Sequence, residues 1–360
     1  MTIWSDFFMN GGGGNTITPG TPVVIQSAGA DNRVAAVALS TTKVVVIYST
    51  STATRAMVLD ISGRTITTNT AVDVRAATST YVSIDALSST QAIVAFDTQT
   101  MVLDISGSTI TTNAATTITN ATNSMAVATV SSTVAFCLYQ NSSTSVRART
   151  LNIAGSAITQ NAETTLNTAP TSVQLKASYI SSTAMLVGYV GNSNLYMQVP
   201  TLTGTSITAN AQSIVSNASF NATEMFGIVT NNTSKGFVSY RDATLGGLYG
   251  RILTLGSTSV TVGSASTIFA GATGMNAYEG LAKANTDQVV SIYANVDVGS
   301  AGYGVVIDDA SSININTATL FESREMRSNA LARMTDTKFL AMYIDGGNSN
   351  YPTACVLDIT

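Results

Sequence analysis

The sequence contains no histidine, and only 10% of its 360 residues are charged. Without an imidazole there is no Ser-His-Asp or Cys-His catalytic centre, no zinc site of the HExxH type and no histidine pH switch. The formal net charge of −4 excludes a polybasic surface for nucleic acid. Apolar runs stay below the roughly 18–20 residues of a membrane span, so we expect neither nucleic-acid binding nor membrane insertion.

Motifs for bound ions and cofactors are also missing. The sequence has no DxDxDG calcium loop, no GxxxxGK[ST] phosphate loop and no CxxC pair, so we expect no metal and no cofactor. Cys137 and Cys355 lie in the apolar stretches VAFCLY and ACVLDI and are predicted to be buried free thiols. The first residues, MTIWSDFFMN, lack the basic region and cleavage site of a secretory signal.

Internal repeats determine the architecture. The segment AMVLDISGRTITTN at 56–69 returns almost unchanged as TMVLDISGSTITTN at 100–113. Diverged copies lie at 149–161, 198–210, 251–263 and 305–316. Each copy has two short β-branched runs around a turn of Ser, Gly and Thr, which is typical of a β-hairpin.

A second motif, an apolar run that ends in an aromatic residue, precedes each hairpin. Its closing aromatics are Tyr48, Phe96, Tyr139, Tyr189, Tyr240, Tyr293 and Tyr343. Their spacing of 43–53 residues is the length of a four-stranded propeller blade. We therefore predict an all-β chain, a seven-bladed β-propeller whose four-stranded blades run from an inner strand A to an outer strand D.

The two ends of the chain are predicted to share one blade. The seventh unit ends at PTACVLDIT, which matches strand C and has no strand D after it. Residues 14–25, GNTITPGTPVVI, match the strand D segment GSTITTNAATTI at 107–118. We predict that residues 15–25 form the outer strand of the last blade, because closing the ring hides exposed strand edges. The propeller then spans 15–360, after a flexible anchor and glycine linker at 1–14.

The loops between strands B and C are predicted to carry any binding site. Their lengths vary between blades, whereas the C–D hairpins keep a constant spacing, and loops on a rigid scaffold commonly bind ligands. The longest are 241–250, 294–304 and 344–352, from three successive blades. They offer aromatic platforms and planar hydrogen-bonding groups suited to sugars or a protein surface, the alternative being an ordinary solvated loop face. The candidate ligand-binding residues are Arg241, Asp242, Tyr249, Asp297, Tyr303, Asp345, Asn350 and Tyr351.

The N-terminal segment is predicted to be a docking anchor. Trp4, Phe7, Phe8 and Met9 precede four consecutive glycines at 11–14, which make a flexible tether. Such a segment can dock into a groove of a partner or fold back on its own blade, and the sequence leaves both open.

The segment MTIWSDFFMNGGGG and the LDISGxTITTN repeats together resemble tailed-bacteriophage virion proteins. Attachment proteins of that group often join an N-terminal anchor to a β-structured distal module. The resemblance implies a non-enzymatic virion structural or host-attachment protein, made in the host cytoplasm and displayed on the particle. It implies other virion proteins as partners of the N-terminal segment and a host surface glycan as a further partner.

Two other functions stay open. A carbohydrate-binding propeller lectin would reuse the same polar residues in several blades, and the differing B–C loops favour a single composite site over seven equivalent ones. A propeller glycosidase or lyase would need paired carboxylates near the channel. The candidates for such a pair are Asp85, Glu224, Glu279 and Glu325.

The aspartates of the LDI motif are predicted to be structural. Asp60, Asp104, Asp308 and Asp358 share a position in the repeat that is Asn or Thr in other blades. Those residue types share an ability to form local hydrogen bonds and not acidity.

Overall fold

The computed structural model describes residues 15–27, 29–122, 124–141, 145–168, 174–216, 226–241, 247–271 and 280–360. The described residues form antiparallel sheets and one short 3-10 turn at Val296–Val298, with no α-helix. The sheets are seven four-stranded blades, which confirms the predicted seven-bladed β-propeller. The predicted anchor residues Trp4, Phe7, Phe8 and Met9 lie outside the described residues.

Blades one to five follow one plan, in which the outer strand D is split into two pieces that both pair with strand C. Blade one comprises Ala30–Ala38, Lys43–Thr50, Thr54–Ser62, Thr65–Thr68 and Val72–Arg75. Blade two comprises Val82–Ser88, Gln91–Phe96, Gln99–Ser106, Thr109–Thr112 and Thr116–Thr117. Blade three comprises Met125–Ser131, Val134–Asn141, Ser145–Ala154, Ala157–Gln160 and Thr164–Asn167. Blade four comprises Leu175–Ser181, Ala184–Gly191, Asn194–Gln198, Thr201–Thr203, Ser206–Thr208 and Gln212–Ser216. Its strand C is interrupted at Pro200, which has no N–H to donate to the ladder. Blade five, on the same plan, comprises Phe226–Asn232, Lys235–Arg241, Leu248–Leu255, Val260–Val262 and Ser266–Phe269.

Blades six and seven are joined through one continuous strand, Thr319–Arg333, which leaves the outer edge of blade six and becomes the inner strand of blade seven. Blade six adds Gly280–Asn285, Gln288–Asn295, Ala301–Asp308 and Asn314–Ile315 to the first part of that strand. Blade seven adds Lys338–Asp345, Tyr351–Ile359, Ile17–Pro19 and Val23–Val24 to its second part.

The hydrophobic core is divided into seven layers, one between each pair of neighbouring blades. In the layer between blades one and two, for example, Val45 and Ile47 pack with Ile84 and Leu103. Strands B and C have apolar side chains on both faces, because each face of a blade is covered by a neighbour. The core therefore depends on a closed ring, and the inner strands do contact one another all the way round.

The seven aromatics that close the strand B motif lie in these layers. All are buried, with exposed fractions between 0 and 4%, as the repeat predicts. Several hydroxyls donate to polar side chains at the rim: Tyr48 to Gln26 Oε1 at 2.5 Å, Tyr189 to Gln212 Oε1 at 2.6 Å and Tyr343 to Glu322 Oε2 at 2.8 Å. Cys137 and Cys355 are buried free thiols as predicted, and burial raises the pKa of each to about 12.

The N-terminal residues close the ring as predicted. Ile17 pairs with Ile359, Thr18 with Asp358 and Pro19 with Leu357, and the second piece pairs Val23 with Ala354. Ile17 is 3% exposed and packs in the layer between blades six and seven, so the clasp also contributes to the core. No covalent bond holds the ends together, and strand pairing does so instead.

The A–B hairpins share one polar turn in all seven blades. In each, a backbone N–H donates to a Ser, Thr or Asn side-chain oxygen two residues earlier, at 2.9–3.3 Å. The acceptors are Ser40, Ser88, Ser131, Ser181, Asn232, Asn285 and Thr335. This local bond stabilises a tight turn without a glycine, which accounts for part of the Ser and Thr content.

The C–D hairpins connect neighbouring blades. Their turns place Gly63, Gly107, Gly155 and Gly204 at φ of about +60°, the left-handed conformation that glycine adopts at no steric cost. Residues next to these glycines bond to the preceding blade: Ser108 Oγ donates to Asp60 Oδ2 at 2.6 Å. Likewise, the Arg64 guanidinium donates to Asp358 Oδ2 at 2.7 Å.

The LDI aspartates have the structural role that the repeat predicts. Asp60 accepts from Asn69 Nδ2 at 2.9 Å as well as from Ser108, and it pairs with Lys43 on strand B. Asp104 accepts in the same way from Gln91 and Asn113, at 2.7 and 2.8 Å. Each carboxylate therefore holds strands B, C and D of its blade together.

We expect that deleting residues 1–25 opens the ring. The deletion removes Ile17 from the core and leaves the edge of Tyr351–Ile359 unpaired, so the protein should aggregate and unfold at a lower temperature. Light scattering and thermal unfolding measure both effects. Deleting only residues 1–14 keeps both clasp strands and is the matched control. A 1–25 deletion that stays monomeric and unfolds at the wild-type temperature would rule out the clasp.

The Asp60 contacts predict a pH-dependent contribution to stability. The hydrogen bond from Lys43, followed by that from Ser108, lowers the pKa of Asp60 from 3.8 to about 2. A lowered folded-state pKa stabilises the fold above the unfolded value of 3.8, and this contribution is lost as the pH falls towards about 2. Asp60→Asn, which mimics Asn152 of blade three, should be less stable than wild type at neutral pH and approach it near pH 2 in urea titrations. A difference independent of pH would contradict this origin.

Candidate functional site

The face that bears the B–C loops differs from the hairpin face in its loop lengths. B–C loops are longest in blades five, six and seven, as predicted, where they lie between Arg241 and Leu248, at 296–300 and at 346–350. In blades two and four they are confined to 97–98 and 192–193. We call this surface of blades five to seven the B–C face.

The loops are shorter than the predicted ranges, because the B–C ladders continue into them. Tyr240 pairs with Tyr249, Tyr293 with Tyr303 and Asp345 with Tyr351. The three tyrosines chosen from the sequence as loop residues therefore lie in strand C. Arg241 and Asp345 end strand B, and Asp242 lies outside the described residues.

Tyr249 and Tyr303 are half-buried platforms, each supported by a buried tyrosine. Tyr303 stacks on Tyr293 with ring centroids 6.0 Å apart and an interplanar angle of 18°. Tyr249 lies 6.1 Å from Tyr240 at 30°. Such support restricts the ring rotamers, so little conformational entropy remains to be lost on binding.

Blade four repeats this pair, which the sequence reading missed. Tyr196 stacks on Tyr189 with ring centroids 5.7 Å apart. Tyr196 is only 8% exposed, so the same cross-strand pair is a core feature in blade four and becomes accessible in blades five and six. The sequence itself indicates these pairs, because Tyr196, Tyr249 and Tyr303 each follow the tyrosine that closes the strand B motif after a short loop.

Asp297 and Asn350 lie in the loops themselves. The Asp297 N–H donates to Asn295 Oδ1 at 3.0 Å within the 3-10 turn, and the flanking Val298 is 51% exposed. Asn350 has a φ of 59°, and its Oδ1 atom is buried with no hydrogen-bond partner among the residues that the structure describes. The loop of blade six therefore exposes an apolar group, whereas the unsatisfied Asn350 acceptor in the loop of blade seven is enclosed by protein.

Asp345 does not have the ligand-contacting role that was predicted for it, because it is completely buried. Its Oδ2 atom lies 2.6 Å from the Arg324 guanidinium. Arg324 also donates to Glu322 Oε1 through its Nε atom at 3.2 Å, and Glu322 is 4% exposed. The accessible group of this cluster is Arg324, whose side chain is 45% exposed.

Backbone strain is concentrated on the side of the propeller that carries the B–C loops and D–A crossings. Among the described residues, every non-glycine residue with positive φ lies there. They are Asp97, Asn120, Asn192, Ser193, Ser300, Ser328, Ser349 and Asn350. A serine in this conformation costs about 1–2 kcal/mol, and such strain persists mainly where surrounding structure or function requires it.

The carboxylates proposed for a hydrolase are separately engaged. Asp85 accepts from the backbone N–H of Thr129 at 2.6 Å and of Ala86 at 2.8 Å. Glu325 forms a two-bond ion pair with Arg327, at 2.8 and 3.0 Å. Glu224 and Glu279 lie outside the described residues.

Across the described ranges, no group of three or more acidic or cysteine side chains is placed to hold a metal ion. The part of the chain that the structure describes also has no helix of the length and hydropathy needed to cross a membrane.

We expect Asp345→Asn to remove a pH-dependent cost of folding. Burial, followed by the charge of Glu322, raises the pKa of Asp345 above 3.8. A raised folded-state pKa means that this carboxyl destabilises the fold as the pH rises above about 4. The stability of the variant relative to wild type should therefore increase from about pH 4 to pH 7 in urea titrations. Asp336→Asn, which changes an exposed carboxylate, is the control. A relative stability that falls with pH would show that the Arg324 ion pair dominates.

The fold is similar to solved β-propellers. The WD40 domain of coronin from Toxoplasma gondii has a TM-score of 0.68 at 8% identity, covering 96% of this chain and 86% of that chain. A putative 6-phosphogluconolactonase from Bacteroides fragilis has a TM-score of 0.59 at 7% identity, covering 89% and 98%. A protein from Lactobacillus plantarum has a TM-score of 0.58 at 10% identity, covering 78% and 83%. No family model and no curated protein matches the sequence. The similarities establish the β-propeller fold and give no support to a phage origin.

Proposed function

We propose that this chain is an interaction module, and that it binds its partner through the B–C face of blades five to seven. The observation that carries the choice of side is the distribution of strained backbone, and the longer B–C loops single out blades five to seven. Non-glycine residues in the left-handed conformation occupy the B–C side, whereas the C–D hairpins place glycine at their left-handed positions. Strain that a glycine would relieve is retained on one side, which is typical of functional surfaces.

The opposite side supports the same assignment, because its polar groups are used within the ring. Lys338 Nζ donates to the Gly63 carbonyl at 2.9 Å, and Thr150 Oγ1 donates to the Thr205 carbonyl at 2.7 Å. Each of these bonds joins neighbouring blades. The hairpin side therefore has a structural reason for its constant spacing.

The chemistry of the B–C face suits a carbohydrate or a polar protein surface. Tyr249 and Tyr303 are supported rings, Tyr351 begins strand C of blade seven, and Asn350 beside it is a partly exposed amide residue. Stacked aromatics and planar amides recognise sugars without burying an unpaired charge. A glycan on a host surface is the ligand that we propose first.

The virion location and the N-terminal anchor follow from the sequence resemblance and remain part of this proposal. A propeller presented on a particle would display one side outwards and leave residues 1–14 for other virion proteins. A carbohydrate-binding lectin that is not part of a virion is the alternative to this proposal. Because the B–C loops differ between blades, such a lectin would also have one composite site.

An enzyme is the competing proposal, since one similar fold is a putative 6-phosphogluconolactonase. The contacts of the two described candidate carboxylates argue against an enzyme. Asp85 accepts from backbone N–H groups, and Glu325 pairs with Arg327. Neither carboxylate is paired with a second one as an acid and base would be.

Glycan-array and whole-cell binding test the proposal. A variant with Tyr249, Tyr303 and Tyr351 changed to Ala should bind at least about ten-fold more weakly, since truncated aromatic hot spots commonly cost about 2 kcal/mol or more. Its thermal unfolding is measured in parallel, because two of the rings also pack on buried tyrosines.

The matched control is Tyr196→Ala. It removes the same kind of tyrosine pair in blade four, where the ring is buried, so it should lower stability and leave binding unchanged. Wild type that binds no glycan and no cell, or a triple variant that binds as wild type does, would reject the B–C face as the binding surface.

A further inference from the structure

Arg324 is a cation on the B–C face that two buried carboxylates hold in place. Its Nε atom donates to Glu322 Oε1 at 3.2 Å, and its Nη2 atom lies 2.6 Å from Asp345 Oδ2. Glu322 is itself fixed, because it accepts from the Tyr343 hydroxyl at 2.8 Å. Two contacts along one edge of a planar guanidinium set both its position and its orientation.

The other edge of the Arg324 guanidinium is available to a ligand. The side chain is 45% exposed, and its Nη1 atom forms no hydrogen bond to any residue that the structure describes. A guanidinium has five N–H donors, so its outer edge can donate to a ligand while its inner edge stays paired.

The B–C loop of blade seven packs on the stem of this side chain. A Cβ atom at Gly347 would lie 2.6 Å from the Cβ atom of Arg324, and one at Gly346 would lie 2.6 Å from Glu325 Oε2. Only glycine allows the loop to pass this close to the strand that carries Arg324. Arg324 and the loop at 346–350 therefore belong to one surface.

Tyr351 lies on the same side of blade seven as this cluster. It is directly opposite Asp345 in the B–C ladder, and opposite residues of an antiparallel pair share one face of the sheet. Arg324 is exposed and Tyr351 is partly exposed, whereas Asp345 between them is buried. A partly exposed aromatic ring beside a fixed hydrogen-bond donor suits the binding of a sugar.

The charge of Arg324 is compensated within the protein. Glu322 alone carries the opposite charge, the Asp345 carboxyl adds to it, and the neighbouring pair of Arg327 and Glu325 is neutral in sum. An acidic ligand would thus lose its hydration without meeting an excess of positive charge. Hydroxyl groups accept from a guanidinium without that cost.

We propose that Arg324 determines the specificity of the B–C face: its outer edge donates to hydroxyls of a sugar beside Tyr351, and it selects neutral over acidic glycans. The inference rests on the proposed glycan binding and adds to it a contact residue and a class of ligand. A donor that is already fixed by Glu322 and Asp345 loses little conformational entropy when it binds.

Matched pairs on a glycan array test the selectivity of the wild-type protein. Each pair is a neutral glycan and the same glycan with one terminal sialic acid, such as lactose and 3′-sialyllactose. Neutral members should bind at least about ten-fold more tightly than their acidic partners. Equal or tighter binding of the acidic members would overturn the role of Arg324 and leave glycan binding by the B–C face standing. Binding of no glycan at all would overturn both.

Two substitutions test the contact itself. Arg324→Gln removes the cation, and Arg324→Lys keeps the charge without the planar fork of donors. Both variants should bind the neutral glycans about ten-fold more weakly than wild type, the size of one charge-assisted hydrogen bond. Arg324→Lys retains a cation beside the two buried carboxylates, so it tests the proposal even where Arg324→Gln does not fold. Wild-type affinity in either folded variant would contradict the contact.

Arg64→Gln is the matched control. Arg64 is 43% exposed and pairs with Asp358 on the hairpin side, so the substitution removes the charge of a similar ion pair away from the B–C face. Its glycan binding should equal that of wild type. An equal loss of binding in Arg64→Gln and Arg324→Gln would show a general effect of net charge and would reject Arg324 as the contact.

Discussion

The structure depends on the packing of each blade between two neighbours. Strands B and C are apolar on both faces, so a blade at the end of an open array would expose one complete layer of the core to water. The pairing of Ile17 with Ile359 prevents this, because it completes blade seven and brings its face against blade one. Seven layers of similar composition then share the burial that one central core provides in other folds. A change that weakens the clasp therefore destabilises the whole ring.

This arrangement divides the polar residues between the two sides. On the hairpin side, serine, threonine and asparagine form the seven A–B turns, and Asp60 and Asp358 receive bonds from the next blade. On the other side the loops have no such repeated partner, and they retain left-handed serines such as Ser300 and Ser349. Loops whose lengths differ between blades on a rigid scaffold tolerate variation, which is the physical basis for placing recognition there.

The sequence predicts the blades and their closure well because both are repeated. Near-identical segments at 56–69 and 100–113 define one unit, and a copy of strand D at the N-terminus identifies the clasp. Features that occur once are not predicted. The burial of Asp345 depends on Arg324, which comes from the strand between two blades, and the loop ranges depend on how far each ladder continues. The grouping of four cations in the predicted channel is not evident from the sequence, because they lie in different repeats and only the ring brings them to one axis.

The strand Thr319–Arg333 joins the B–C face to the central channel. Its first part carries Glu322 and Arg324 beside the B–C face, and its second part carries Asn329 and Arg333 in the channel. Ser328, with positive φ, lies between the two parts, where the register with strand B of blade seven shifts by one residue. The bulge turns the chain from the outer edge of one blade to the inner edge of the next, and it sets the orientation of Asn329 as it does so. Strain at Ser328 is thus a consequence of joining blades six and seven through a single strand, and the Asn329 amide beside it has no hydrogen-bond partner among the residues that the structure describes.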